Sequence, residues 1–342
     1  LNVRIGNFEV GNRTLIIAEV GSNHCGDVEL ARRSLAAAAE SGADVVKFQM
    51  YDPEKLVGLT APVLSYIAQT HRTQRERFRS LYLPKTMFPE LAELARQKGV
   101  MFLVTPFDEE AVEFLDPLVP AFKVASGDLT HIRLLRTVAA KEKPVLLSTG
   151  MATLEEIDRA VKEFSQSRLI LLHCVGAYPT PDEEADLLTI GFLGERYGVP
   201  VGWSDHTRGM TAAVAAVALG AQVVEKHFIL SKNLPAADVE LSADPQEFQN
   251  MVQAIRRAER QRGRLWRDPS PSEAYFRENL RRAVYARRDL ATGTRLTPDM
   301  LIALRPCADG MVPAFEIDAI VGRELRRAVE AETAIYRRDL SA

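Results

Sequence analysis

From residue 15 onward, short β-rich apolar runs alternate with longer segments of helical period, and there are eight such runs. They read as strands at 15–20, 43–49, 100–105, 121–126, 144–149, 169–174, 200–203 and 222–227. Helical stretches follow. One is 28–41, with apolar residues at three-and-four spacing; another is 154–164, where Thr153 stands as N-cap with Glu156 three residues on. Eight βα units in roughly 250 residues are the size of a closed (β/α)8 TIM barrel, in the α/β class. A doubly wound open sheet is the alternative, because strand count alone does not prove closure.

After the last helix, residues 262–273 collect Gly263, Pro269, Ser270 and Pro271, the composition of a linker. The expected organisation is a barrel domain over 1–265, a linker over 266–282 and a small domain of short strands over 283–342. Charge separates the two parts. Beyond Ile255 there are 18 arginines, no lysine and 13 acidic residues, a net +5, whereas the preceding 255 residues carry 25 basic and 33 acidic, a net −8. A contact between the parts is one reading and plain solvated surface the other.

The whole chain has a formal charge of −3, so no global basic field is available for nucleic acid or an anionic membrane. No apolar run approaches the roughly 18 residues of a membrane helix, and the first residues lack the layout of a signal peptide. Three distant cysteines, Cys25, Cys174 and Cys307, suggest neither a disulfide framework nor a zinc knuckle. A reducing cytoplasm is the expected location.

In barrel enzymes the reacting groups stand at the C-terminal ends of strands. Here each strand closes on polar residues: Glu19; Lys47 and Gln49; Thr105; Lys123 and Ser126; Ser148; His173, Cys174 and Tyr178; Ser204, Asp205 and His206; Glu225, Lys226 and His227. Two lysines among hydroxyls make a place for a small, multiply charged anion such as a phosphate. His206 and His227 are 21 residues apart, about one βα unit, so neighbouring strand mouths could present both imidazoles to one divalent metal. Substrate oxygens and water would then complete the shell, as suits a catalytic Lewis acid; two satisfied core histidines are the alternative. Glu225, two residues before His227, is expected to orient that ring.

The stretches Ile17-Ala-Glu-Val-Gly-Ser-Asn-His-Cys-Gly-Asp27, Gly42-Ala-Asp-Val-Val-Lys-Phe-Gln49, Leu172-His-Cys174 with Tyr178-Pro-Thr-Pro181, Gly202-Trp-Ser-Asp-His-Thr207 and Glu225-Lys-His-Phe228 resemble the sialic acid synthase family. So does the tail, where Leu280-Arg-Arg-Ala-Val, Leu296-Thr-Pro-Asp-Met300, Arg305-Pro306 and Gly322-Arg323 are similar to that family's antifreeze-like (SAF) domain. The resemblance implies a transferase that condenses phosphoenolpyruvate with an amino-sugar into a nine-carbon 2-keto-3-deoxy acid. It implies that Lys47, Thr105, Lys123, Ser126, Ser148 and Ser204 hold phosphoenolpyruvate, and that His206 and His227 bind manganese or magnesium. Glu19, Gln49, Tyr178 and Asp238 would face the sugar, with Glu19 as acid or base. It further implies a homodimer whose tail domain covers the partner's barrel, bringing Arg305 to the sugar in trans.

Two positions depart from the family pattern. Gly176 stands where an asparagine is common, and the motif near strand eight, commonly Gly-Pro-Asp-His, reads Ala236-Ala-Asp-Val239. The acceptor could therefore be N-acetylmannosamine or a 2,4-diacetamido-2,4,6-trideoxyhexose. A synthase of seven- or eight-carbon sugar acids, or a non-catalytic sugar-binding barrel, are the rival readings. The tail argues against the first, and retention of the lysines, histidines and Glu19 against the second.

Overall fold

Every apolar run forms a strand: β1 Leu15–Gly21, β2 Val45–Met50, β3 Met101–Pro106, β4 Phe122–Val124, β5 Val145–Ser148, β6 Leu169–His173, β7 Val201–Asp205 and β8 Val223–His227. The computed structural model describes residues 3–64, 71–236, 238–263 and 268–341. The strands form one eight-stranded sheet in the order β3-β2-β1-β8-β7-β6-β5-β4. First pairs with last in parallel, Glu19 opposite His227, and β3 lies beside β4. That cyclic order is a closed barrel, which disposes of the open-sheet alternative.

The helices α1 Val28–Glu40, α2 Met87–Lys98, α3 Glu109–Leu115, α4 Ile132–Ala139, α5 Leu154–Val161, α6 Thr189–Tyr197, α7 Thr211–Ala218 and α8 Pro245–Arg262 follow the strands one by one. Thr153 and Glu156 make the reciprocal capping box that starts α5, so the backbone N–H groups of that end are satisfied at the mouth of the barrel. Asp244 and Glu247 do the same for α8. At the C-terminal ends, two boundaries differ by two residues from those the sequence predicts. Strand β4 stops at Val124, and Ser126 opens a 3-10 turn instead of ending a strand. Strand β7 runs on to Asp205, because Ser204 and Asp205 keep their pairing with Glu225 and Lys226.

Side chains alternate across each strand, and the two faces bury different things. Outward, Ile16, Val46, Val104, Leu147 and Trp203 pack under the helices with Leu35, Leu91 and Leu134. Inward, Ile17, Val45, Leu103, Ala121, Leu146, Leu172 and Val223 form an apolar layer across the lower lumen. A hairpin, Arg4–Ile5 with Phe8–Glu9, adds Val3, Ile5, Phe8 and Val10 to that layer and stoppers the floor. Each such side chain contributes about 1.5–3 kcal/mol by leaving water. Strand β7 gives Gly202 to the layer, and only glycine fits: a Cβ there would lie 2.5 Å from the Val223 carbonyl oxygen and 2.8 Å from Leu172.

The chain divides into two units, Leu1–Gly263 and Arg264–Ala342. In the second, the stretch expected as a linker, 266–282, contains helix α9, Ala274–Leu280. Strands β9 Ala283–Ala286 and β10 Leu301–Leu304 pair antiparallel over a core that includes Val284, Leu296, Val312, Leu325 and Ile335. The boundary expected between 265 and 266 lies outside the described residues, as does Ala237 of the strand-eight motif.

Candidate active site

Two residues above the apolar layer, each strand places its next inward side chain, and there the chemistry changes. Ile17 is followed by Glu19, Val45 by Lys47, Leu103 by Thr105, Ala121 by Lys123, Leu146 by Ser148, Leu172 by Cys174, Gly202 by Ser204 and Val223 by Glu225. All eight upper residues line one pocket at the C-terminal mouth, together with Gln49, Ser126, Tyr178, His206 and His227. Thus a period of two along eight parallel strands builds the site.

The centre is a buried cluster of two carboxylates and two ammonium groups. Lys47 Nζ lies 2.9 Å from Glu19 Oε2 and 3.5 Å from Glu225 Oε1, and donates to Thr105 Oγ1 at 3.1 Å. Lys123 Nζ is 3.6 Å from Glu225. Gln49 Nε2 donates to Glu19 Oε1 at 2.7 Å, and Ser204 donates to Glu225 at 3.2 Å. Gly21, at φ +53 after a bulge in β1, leaves room for this: a Cβ there would press to 3.1 Å from Glu19 Oε1.

Burial and charge pull the two carboxylates apart. Desolvation pushes Glu19 up, with Lys47 only partly opposing and Glu225 adding to the rise. At Glu225 burial also raises the carboxyl, but the fields of Lys123 and Lys47 outweigh it and the group sits below its ordinary value. Lys47, despite burial, is held up by Glu19 and Glu225, whereas Lys123 is lowered by burial. The more readily protonated Glu19 beside an ionised Glu225 is the arrangement expected of an acid–base residue and its electrostatic partner.

Both histidines are at the mouth, with ring centroids 5.6 Å apart. His206 Nδ1 donates to the Val175 carbonyl at 2.7 Å, leaving Nε2 with its lone pair, and Tyr178 stacks on that ring at 4.2 Å. His227 Nδ1 is buried without a hydrogen-bond partner, 3.7 Å from Asp238 Oδ2. Desolvation lowers both imidazoles, His227 well below the ordinary value, so both are neutral at physiological pH. Two neutral imidazoles, one with an orphaned nitrogen, fit a divalent cation that takes its remaining ligands from substrate and water. Among the described residues no three His, Cys, Asp or Glu side chains form a ready-made metal cluster.

Of the site residues expected from the sequence, Glu19, Lys47, Gln49, Thr105, Lys123, Ser126, Ser148, Tyr178, Ser204, His206 and His227 converge on this pocket. Asp238 adjoins it through His227, and burial raises its carboxyl against the field of Arg77. That arginine, on the short helix Gln74–Ser80, carries no signal in the sequence. Arg305 is exposed on the second unit, after β10. Glu225 does not orient His227 as expected: its hydrogen-bond and ion-pair partners are Ser204 and the two lysines, and Asp238 is the carboxylate beside that ring. Cys174, the inward residue just after the end of β6, is a thiol kept protonated by burial. All three cysteines are free.

The NeuB family matches residues 34–266, and the SAF domain matches 281–341. The chain belongs to the NeuB family. It is 39% identical over 331 residues to the N,N'-diacetyllegionaminic acid synthase of Legionella pneumophila, covering 94% of this chain and 92% of that protein. The pseudaminic acid synthase of Campylobacter jejuni is 34% identical, with 98% of this chain and 99% of that protein aligned. Among solved structures, the N-acetylneuraminic acid (sialic acid) synthetase of Leptospira borgpetersenii superposes with a TM-score of 0.74 at 34% identity, over 81% of this chain and 95% of that one. This NeuB-family chain thus carries its mouth cluster on a barrel and its SAF domain on the tail. Among the described residues no helix is long and apolar enough to cross a membrane.

Proposed function

We propose that this chain is a transferase that condenses phosphoenolpyruvate with the open-chain form of a 2-acylamino sugar, giving a nine-carbon 2-keto-3-deoxy sugar acid and phosphate. The observation that carries the reading is the upper lumen layer, where two buried lysines, three hydroxyls and two carboxylates line one pocket with two histidines. Lys47 and Lys123, with Thr105, Ser126, Ser148 and Ser204, bind the phosphate and carboxylate of phosphoenolpyruvate by charge and directed donors. Gln49, Tyr178 and Asp238 position the sugar so that its aldehyde carbon meets carbon 3 of the enol. The new carbon–carbon bond forms there, a water adds at carbon 2, and the carbon–oxygen bond to phosphate breaks. Glu19 holds or moves the proton that the alkoxide gains and the attacking water loses. A divalent cation, manganese or magnesium, held by His206 and His227, would supply Lewis-acid polarisation of the aldehyde.

Names of relatives support the nine-carbon class, and the acceptor is N-acetylmannosamine or a 2,4-diacetamido-2,4,6-trideoxyhexose. The same reading includes a cytoplasmic homodimer in which the tail covers the partner's barrel and Arg305 reaches the sugar. The test is product mass spectrometry with phosphoenolpyruvate and a panel of such sugars. One sugar should release phosphate stoichiometrically and give the mass of the sugar plus pyruvate, with turnover abolished by exhaustive chelation and restored by manganese. Phosphate release with an unacylated pentose or tetrose in place of the amino-sugars would favour the smaller sugar acids instead. Mixing Arg305→Ala and Lys47→Ala chains tests the tail: activity should return in mixed dimers, and mixed dimers as inactive as the parents would remove Arg305 from a role in trans.

A further inference from the structure

Immediately before each mouth histidine stands a charged residue that points the other way. Asp205 ends β7 just before His206, Lys226 precedes His227 on β8, and the two charged residues are direct partners in the parallel ladder. Their neighbours Ser204 and Glu225 face the lumen, so by strand alternation Asp205 and Lys226 face the helices. There Lys226 lines a cavity with Met210, Ser242, Glu247 and Met251. Both are almost completely buried, at 0% and 1% exposure.

The pair is fully used. Lys226 Nζ lies 3.1 Å from Asp205 Oδ2 and donates to the Thr207 carbonyl at 2.6 Å. Asp205 Oδ1 accepts from the Thr207 amide at 2.8 Å and its hydroxyl at 2.7 Å. His206 is therefore flanked by two residues tied to β8, and its own ring and carbonyl are held by Val175 and Thr180. A buried ion pair is a poor source of net stability, because desolvation offsets its attraction; a well-satisfied one on adjacent strands fixes register instead. Register matters here, since a slip of one residue would turn one histidine out of the lumen while the other stayed.

We propose that Asp205 and Lys226 form a register lock, two positioning residues on the helix side of the sheet that set His206 and His227 side by side on the lumen side. The proposal rests on reading those histidines as the cation-holding pair.

The test replaces the pair by apolar residues, Asp205→Leu with Lys226→Met, in the full chain. Two readouts are taken without substrate: manganese affinity by electron paramagnetic resonance, and the imidazole proton resonances of the metal-free protein, assigned with His206→Gln and His227→Gln. The double variant should stay folded with a lowered denaturation midpoint, because Thr207 loses its buried partners, lose about tenfold or more in manganese affinity, and shift the His206 resonance as its ring leaves Tyr178. A folded variant with manganese affinity within about twofold of the parent and unmoved imidazole resonances would overturn the lock. If the parent itself binds no manganese, the cation reading fails and the resonances alone decide the lock. Should the double variant not fold, the same measurements on Asp205→Asn, which keeps shape and removes charge, decide in the same way.

Discussion

The lower and upper halves of the lumen are built by the same strands two residues apart, and they do opposite things. Below, Ile17, Val45, Leu103, Ala121, Leu146, Leu172 and Val223 close against a hairpin into an apolar plug. Above, Glu19, Lys47, Thr105, Lys123, Ser148, Cys174, Ser204 and Glu225 hold buried charge and hydroxyls open to the mouth. The lower half supplies stability by removing apolar surface from water. In the upper half, two lysines and two glutamates are desolvated at a cost that their mutual contacts offset. Rigidity below holds the buried polar cluster above in one arrangement.

The largest effect expected from breaking that division is on rate. Glu19→Gln keeps the side-chain shape and the Gln49 neighbour but removes the raised carboxyl of the cluster, so kcat should fall about a hundred- to ten-thousandfold while the melting temperature holds. Steady-state phosphate release alongside thermal melting checks both halves of the statement. Activity within a fewfold of the parent would take Glu19 out of the acid–base role.

A cut in the lower layer should do the reverse. Leu146 is fully buried, and Leu146→Ala should cost about 2–5 kcal/mol of unfolding free energy through lost burial and the cavity left behind. Denaturant titration measures it, and phosphoenolpyruvate affinity of the folded protein should barely move. If binding collapses instead, the two layers are not separable.

The smallest effect concerns pH. Asp128, in the turn after β4, has its carboxyl pushed up to about 6 by burial, against the fields of His131 and Lys123. Its Oδ2 is buried without a hydrogen-bond partner. A folded-state value above the unfolded one means that the folded chain keeps this proton longer. The stability it contributes is complete below the unfolded value of 3.8 and is lost as pH rises through about 6. Asp128→Asn should accordingly be neutral near pH 4 and stabilising by about 1–2 kcal/mol above pH 7. Unfolding curves at the two pH values check the difference, and an Asn variant less stable at neutral pH would show that the ionised carboxylate has an unseen favourable partner.

Much of this is legible in the sequence because the barrel repeats one rule eight times. Apolar runs ending on Glu19, Lys47, Thr105, Lys123 and Ser148 announce both the strands and the mouth. The partner of a charge is not legible, since it depends on which side chains the closed sheet brings across the lumen. Spacing alone makes Glu225 a companion of His227, yet the cross-lumen lysines claim it. Period two places it in the upper layer, with Cys174. Arg77 lies beyond such reasoning, because the excursion between β2 and α2 returns to the mouth by tertiary packing: Tyr51, after β2, meets Phe78 edge-on at 5.2 Å. An apolar run that continues to Ala125 puts Ser126 at a strand end, but the chain turns at once into a 3-10 helix.

The most direct measurement is equilibrium binding of phosphoenolpyruvate to the full chain by calorimetry, comparing the parent with Lys123→Met. Lys123 faces the pocket with Glu225 and the Val124 carbonyl as its polar neighbours. If the upper layer is the anion site, removing this charge should raise the dissociation constant about 30-fold, some 2 kcal/mol, with the fold intact. An unchanged constant in a folded Lys123→Met protein would contradict a phosphoenolpyruvate site in the upper lumen.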